Sequence, residues 1–376
     1  MRWSWQILKV AGIPIRVHAT FVLVLLYAAL IARGEGTLGI LESVAFVLAL
    51  FTCIVLHELG HALTASRYGV RTRDITLLPI GGVARLERIP EKPRQEIAVA
   101  LAGPAVNIVI ASALFLVLFL QGEAWAIATP RTMAMMLQRN FFARLLATNI
   151  IIVVFNLIPA FPMDGGRVLR ALLATRLDYL RATQIAANVG QGIAFLFGLL
   201  GLWTQNPILL LIALFVFFGA GQEAAAVQMR SAFDGIPVWR AMIRDFRTLQ
   251  ASEPLSRAVE LLLDGHQQDF PVLADGPGSE PIGILTRSDL LHALAGGHTD
   301  RKVGDVPRHS CGVAHPRDLL ESVFQRMQES GCPAMPVVEA DGVLVGMVTL
   351  DNVGELAMVQ AALGHTKRSE ATGNRP

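Results

Sequence analysis

Long apolar runs separated by short polar stretches fill the chain up to about residue 225. From about residue 230 charged positions are mixed with short strand-like apolar segments. A bilayer core of about 30 Å needs about 20 apolar residues in helical form. The runs 17–32, 38–63, 97–120, 145–165, 182–203 and 207–223 are six candidates. The third and fifth contain no charged residue, and the first and last are short. The pattern predicts a polytopic α-helical membrane domain of about six transmembrane helices (1–226), followed by a linker (227–236) and a cytosolic α/β module (237–362). The polar end of the chain, 363–376, is expected to be a disordered tail.

Basic residues orient the spans. Arg2, Lys9 and Arg16 precede the first run. Arg67, Arg71, Arg73, Arg85, Arg88, Lys92 and Arg94 follow the second, and Arg167, Arg170, Arg176 and Arg181 follow the fourth. The intervening loops are poor in Lys and Arg: Arg33 in the first, Arg131, Arg139 and Arg144 in the second, none in the last. Six spans with both termini in the cytoplasm of a cell-membrane protein satisfy every loop. No small-x-small cleavage site precedes Arg33, so the first run is expected to be a retained anchor rather than a signal peptide.

Of the 376 residues, 53% are hydrophobic and 16% charged, against about 25% charged in an ordinary soluble domain. Mean hydropathy is +0.50. Disordered, collagenous and coiled-coil classes are excluded. A net charge of +2, from 32 basic and 30 acidic residues, gives no reason to expect a nucleic-acid partner. Cys53, Cys311 and Cys332 cannot build a disulfide framework. Cys53 reads as a small core residue, and in a cytosolic module Cys311 and Cys332 are expected to stay reduced.

Ionisable residues inside spans are costly and mark function. The second run ends in His57-Glu58-Leu59-Gly60-His61, an H-E-x-x-H pattern. On a helix, positions i and i+4 share a face, so both imidazoles can reach one Zn²⁺, with Glu58 beside them to take a proton from water. Interfacial histidines next to a salt-bridged Glu are the bland alternative. A catalytic zinc wants a third protein ligand and an open position. Asn156-Leu157-Ile158-Pro159-Ala160-Phe161-Pro162-Met163-Asp164-Gly165-Gly166 offers Asp164 on chain unwound by prolines, tolerated in a membrane only where protein or a cavity satisfies the backbone. Alternatively, Asp164 merely caps the following turn.

These two segments resemble the site-2 protease family of intramembrane zinc metalloproteases, in the subgroup with C-terminal cystathionine-β-synthase (CBS) domains. The H-E-x-x-H within a span and N-x-x-P-x-x-P-x-D-G match at every position, and the likeness covers nearly the whole chain. It implies His57, His61 and Asp164 as ligands of one zinc and Glu58 as general base. Leu78-Pro79-Ile80-Gly81-Gly82-Val83 looks like the family's membrane-dipping hairpin, where Gly81 and Gly82 allow a substrate to be held as an added strand; an ordinary turn is the alternative. Gly103-Pro104-Ala105-Val106-Asn107 resembles the family's G-P-x-x-N and is given no direct chemical role, since small residues also suit helix packing. The Asn156 amide could hold the scissile carbonyl or steady the oxyanion. His18 is left out of the site.

Residues 237–362 repeat internally: Gly283-Ile284-Leu285-Thr286-Arg287-Ser288-Asp289 recurs as Gly346-Met347-Val348-Thr349-Leu350-Asp351-Asn352. Each copy (237–296 and 303–362) reads as helix, strand, turn, strand and helix, with helices at 256–263 and 319–329. The pair resembles tandem CBS domains, whose cleft takes an adenine nucleotide (ATP, ADP or AMP). The family's T-x-x-D element falls on Thr286 and Asp289, then on Thr349 and Asn352, where the charge is lost. A pair that only dimerises is the alternative. Asp275-Gly276-Pro277-Gly278 is a turn and not a phosphate loop. The expected partners are a single-span membrane protein as substrate, the lipid bilayer, an adenine nucleotide and a second copy of the chain. The expected activity is an intramembrane zinc endopeptidase acting on regulatory membrane proteins. A CBS-regulated metal or ion transporter is the alternative, but a transport site needs no general base beside its ligands.

Overall fold

The computed structural model describes residues 3–79, 81–86, 92–123, 136–137, 139–233, 235–276, 280–295, 301–306 and 308–360. The expected tail 363–376, and Ile80, Pro277 and Gly278 of the two expected turns, lie outside the described residues. The chain forms two units, Met1–Ala226 and Val227–Pro376.

The first unit opens with β1 (Ser4–Val10) and β2 (Ile13–His18), then α1 (Phe21–Ile31), α2 (Gly36–Arg67), β3 (Thr72–Leu78) and β4 (Gly81–Leu86). The strands form one sheet in the order β1-β2-β3-β4, parallel only between β2 and β3. Ile13, Ile15 and Ile75 of the sheet bury against Leu59 and Ala62 of α2. The sequence reading anticipated the turn before β4 but not the strands over residues 4–18. Their apolar residues Trp5, Ile7 and Leu8 remain exposed and follow no simple buried alternation.

Helices α3 (Pro93–Leu120), α4 (Phe141–Asn156), α5 (Asp164–Leu173), α6 (Tyr179–Trp203) and α7 (Pro207–Phe233) complete this part. Pro93 sits at the first position of α3, where its missing N–H costs nothing. The Asn140 side chain accepts from the Phe142 and Ala143 N–H groups and caps α4. Among the described residues, four stretches are long and apolar enough to cross a membrane: Phe21–Arg67, Pro93–Leu120, Tyr179–Trp203 and Pro207–Ser231. The first covers residues 21–32 of the first expected span, whose residues 17 and 18 instead end β2, and all of the second; Phe141–Asn156 is apolar but shorter. The fourth expected span, 145–165, is interrupted: its helix ends at Asn156, and 157–163 is non-helical. Asp164 is therefore not on unwound chain but is the first residue of α5.

In the second unit, β5 (Leu249–Gln250), β6 (Phe270–Leu273) and β7 (Pro281–Leu285) form one sheet, with α8 (Leu255–Asp264) and α9 (Arg287–Ala295) beside it in the sequence. Next come α10 (Leu320–Ser330) and the antiparallel pair β8 (Ala334–Val338) and β9 (Leu344–Thr349). The helix–hairpin repeat expected from the sequence is present in both copies.

One expectation is overturned here. Cys311 and Cys332 are not separate thiols but a disulfide. Both are buried in one apolar cluster with Cα atoms 5.8 Å apart, inside the range a disulfide spans. Compartment reasoning ignored this proximity. The bond closes a loop across a sequence separation of 21. Cys332→Ser is therefore expected to cost the second unit about 3 kcal/mol under oxidising conditions. Thermal unfolding of the full chain with and without dithiothreitol checks it: reductant should shift the native chain and leave the variant unmoved.

Candidate metal centre

Helix α2 presents His57 and His61 one turn apart, both about 5% exposed. Each imidazole is anchored through Nδ1. His57 Nδ1 lies 2.8 Å from Asn107 Oδ1, and His61 Nδ1 lies 2.7 Å from the Val99 carbonyl oxygen. A carbonyl only accepts, so Nδ1 of His61 carries the proton and its Nε2 carries a lone pair. Both anchors sit on α3, and so does Gly103 between them. A Cβ at Gly103 would stand 2.2 Å from His61 Nε2 and 2.6 Å from His57 Nε2. Only glycine leaves room for the two rings at this point.

The third member comes from the chain break. The backbone at Gly165 and Gly166 is pressed against 157–161: a Cβ would lie 2.3 Å from the Ile158 carbonyl oxygen and 2.6 Å from the Ala160 carbonyl carbon. This close approach needs the Gly pair and starts α5 directly beside the histidines. Asp164 Oδ2 stands 3.3 Å from His57 Nε2 and 3.2 Å from His61 Nε2, and the two Nε2 atoms are 3.0 Å apart. Capping a turn does not account for Asp164, because its carboxylate points at the imidazoles.

Three acceptors face one another across about 3 Å, all buried, and Asp164 Oδ2 has no hydrogen-bond partner. Such an arrangement repels itself unless a cation lies between the lone pairs. Ligands 2.0–2.1 Å from a tetrahedral ion stand about 3.3 Å from one another. Two imidazoles and a carboxylate at these separations fit Zn²⁺ with a fourth position left to solvent or substrate.

Glu58 lies on the same helix within electrostatic reach of His57, His61 and Asp164, and outside the triangle they form. The β4 backbone covers it: a Cβ at Gly82 would be 2.9 Å from Glu58 Cγ. Gly81 has φ +138°, a conformation glycine alone adopts readily. Asn156, half-buried, is the last residue of α4. His18 ends β2, with its Nδ1 2.8 Å from the Thr20 hydroxyl. Sequence reasoning missed Asn107 as a partner of His57 and did not see Asn149, whose side chain meets that of Asn107. It also missed Arg170, which was counted as a loop charge yet is fully buried against Glu96 and Glu223.

In the second unit, the Thr286 hydroxyl donates to Asp289 Oδ2 at 2.6 Å, and the Asp289 N–H donates back to Thr286 Oγ1 at 3.1 Å. His309 Nε2 lies 3.5 Å from the same carboxylate. In the second copy the Asn352 N–H donates to Thr349 Oγ1, but the Asn352 amide is spent on the Ala241 carbonyl at 3.2 Å. Burial pushes the Asp269 carboxyl up, and the carboxylates of Asp351 and Asp289 add to the rise.

The sequence profile of peptidase family M50 matches residues 45–198, which hold His57, Glu58, His61, Asn107 and Asp164. That of the CBS domain matches 238–296 and 303–355. A zinc metalloprotease of Methanocaldococcus jannaschii is 36% identical over 285 residues, covering 76% of this chain and 79% of that one. Rip3 of Mycobacterium tuberculosis is 29% identical over 376 residues, covering 95% and 93%. The solved site-2 protease from Methanocaldococcus jannaschii is 38% identical over 59% of this chain and 95% of that chain, with a TM-score of 0.43. With a buried zinc-type triangle on an H-E-x-x-H helix and these relatives, the chain belongs to peptidase family M50, the zinc metalloproteases of site-2 protease type, and carries two CBS domains after its protease domain.

Proposed function

We propose that this metalloprotease hydrolyses peptide bonds inside transmembrane segments of regulatory membrane proteins, and that adenine nucleotide at the CBS pair modulates it. The observation that carries the reading is the buried His57–His61–Asp164 triangle set among helices apolar enough to lie in a bilayer. We assign residues 1–226 to the protease, arranged as six spans with both termini cytoplasmic, and 237–362 to the CBS pair.

When bound, zinc lowers the pKa of a water toward 7 and polarises the scissile carbonyl. The chain's own residues do the rest. His57, His61 and Asp164 hold the ion. Glu58 takes the proton from the attacking water and returns it to the departing amide nitrogen. The Asn156 amide donates to the carbonyl oxygen as negative charge develops there. Among the described residues the β4 strand pairs with β3 along one edge only, and it lies over Glu58. An unwound substrate segment can therefore add to β4 at Gly81 and Gly82 as a further strand beside the base. A substrate helix hides its peptide bonds in its own hydrogen bonds, so local unwinding precedes the cut.

At the CBS pair, Thr286 and Asp289 provide a hydroxyl and a carboxylate for ribose and phosphate contacts. Thr349 and Asn352 are the weaker site, because Asn352 is engaged with the Ala241 carbonyl.

The test uses the full chain in detergent with a single-span model substrate. About one zinc per chain, cleavage within the substrate helix, loss on chelation and recovery with added zinc are expected. A zinc-loaded chain that leaves membrane-segment substrates intact yet carries zinc across vesicle membranes would establish the transporter alternative. Nucleotide modulation is abandoned if binding isotherms show no adenine-nucleotide affinity, or affinity with no change in cleavage.

A further inference from the structure

Asn149 lies in an apolar helix, 0% exposed, eight residues before the prolines begin to break the chain at 157. Its side chain is fully committed. Nδ2 donates to the Leu145 carbonyl oxygen at 2.8 Å and approaches Cys53 Sγ of α2 at 3.5 Å. Oδ1 accepts from Asn107 Nδ2 of α3 at 3.0 Å. Asn107, also 0% exposed, presents its own Oδ1 to His57 Nδ1 at 2.8 Å. Three helices thus meet in a chain of buried bonds that ends on a zinc-site imidazole.

The direction of this chain is fixed from its far end. The Leu145 carbonyl can only accept, so the NH₂ of Asn149 must face it and the Asn149 oxygen must face Asn107. The NH₂ of Asn107 is then turned toward Asn149, and its oxygen toward His57. That oxygen accepts the Nδ1 proton, which leaves Nε2 of His57 as a lone pair aimed at His61 and Asp164. If Asn149 were apolar, the Asn107 amide would lose the partner that holds its orientation. It could then turn its NH₂ toward Nδ1 and stabilise the tautomer with the proton on Nε2, where the ion has to bind.

We propose that Asn149 is a positioning residue of the metal centre: acting through Asn107, it sets the tautomer of His57 and so the affinity for zinc. The partners of metal-ligating histidines usually fix ring orientation and basicity, and their loss costs 10–100-fold in metal affinity. Here that partner is itself oriented by a residue that touches neither zinc nor histidine. The inference rests on His57, His61 and Asp164 as the zinc ligands. The zinc content of the native chain tests that assignment, and only the difference between native and variant chains tests the relay.

The experiment is competition for Zn²⁺ between the full chain in detergent and a chromophoric chelator, with the visible spectrum of the Co²⁺-loaded chain as a second readout. Asn149→Leu is expected to bind zinc roughly 10–100-fold more weakly. Asn149→Thr, whose hydroxyl can bond the Leu145 carbonyl but is too short to reach Asn107, keeps the helix satisfied and should show the same loss. A merely structural Asn149 would lower the unfolding temperature of the metal-free chain and leave zinc affinity unchanged. Native zinc affinity and an unshifted Co²⁺ spectrum in either folded Asn149 variant overturn the proposal.

Discussion

Glu58→Gln is expected to keep its zinc and lose its cleavage. The three atoms that converge on the metal position belong to His57, His61 and Asp164, and Glu58 lies outside them under the β4 backbone at Gly82. Glutamine has the shape of glutamate, so Gly82 still fits over it and α2 is undisturbed. It cannot accept a proton from water at neutral pH. A positioned general base contributes about 10²–10⁴-fold, and a fall of that size in kcat with KM unchanged is the expected result. Zinc content should match the native chain. A variant that lost zinc as well would make Glu58 a ligand or a structural support of the triangle. One that cut at the native rate would remove it from the mechanism.

How far the sequence revealed this centre follows from where each contact comes from. His57 and His61 are one helical turn apart, so their shared face is a local property of five residues. Asp164 is local in another sense: prolines at 159 and 162 forbid a continuous helix and single out the acid that follows. Gly165 and Gly166, read as part of the same segment, prove necessary for close packing under residues 157–161. The CBS pair was legible because the chain repeats itself.

Other features depend on contacts between distant parts of the chain. Asn149 follows Thr148 in a largely apolar run, and its partners Asn107 and Cys53 are 42 and 96 residues away. Nothing within a window around it distinguishes a relay from a tolerated polar residue. The compartment expected for Cys311 and Cys332 says nothing about whether the fold brings two thiols together. The N-terminal strands escaped because β2 finds its parallel partner β3 only after α1 and α2 have intervened. Arg170 follows an apolar run in the sequence as a loop charge would, yet it is a helical residue with no exposed surface. Arg167, Arg176 and Arg181 supply the remaining basic charge after the fourth run.

Arg170→Met is expected to destabilise the protease unit and, with it, the hold on Asp164. Arg170 lies on α5, the helix that begins at Asp164. Its Nε donates to Glu96 Oε1 of α3 at 2.7 Å and its Nη1 to Glu223 Oε1 of α7 at 2.7 Å. The guanidinium also sits 5.0 Å from the ring centroids of both Phe161 and Tyr179. One side chain therefore ties the helix that carries Asp164 to the helix that anchors both histidines and to α7. Removing it strands the carboxylate of Glu96, whose side chain is 2% exposed. Breaking a buried ion pair by deleting one partner costs about 3–5 kcal/mol, chiefly through the charge left behind. Arg170→Lys should recover little, because an ammonium cannot bridge two carboxylates in a fork while lying over two rings. Adding Glu96→Gln to Arg170→Met should recover part of the loss, since it removes the stranded charge. Unfolding of the four chains in detergent, with zinc release to a chelator measured alongside, separates the contributions. If Arg170→Met unfolds like the native chain and releases zinc at the native rate, the clasp does not hold α5 in place, and the position of Asp164 is set by the Gly165–Gly166 packing alone.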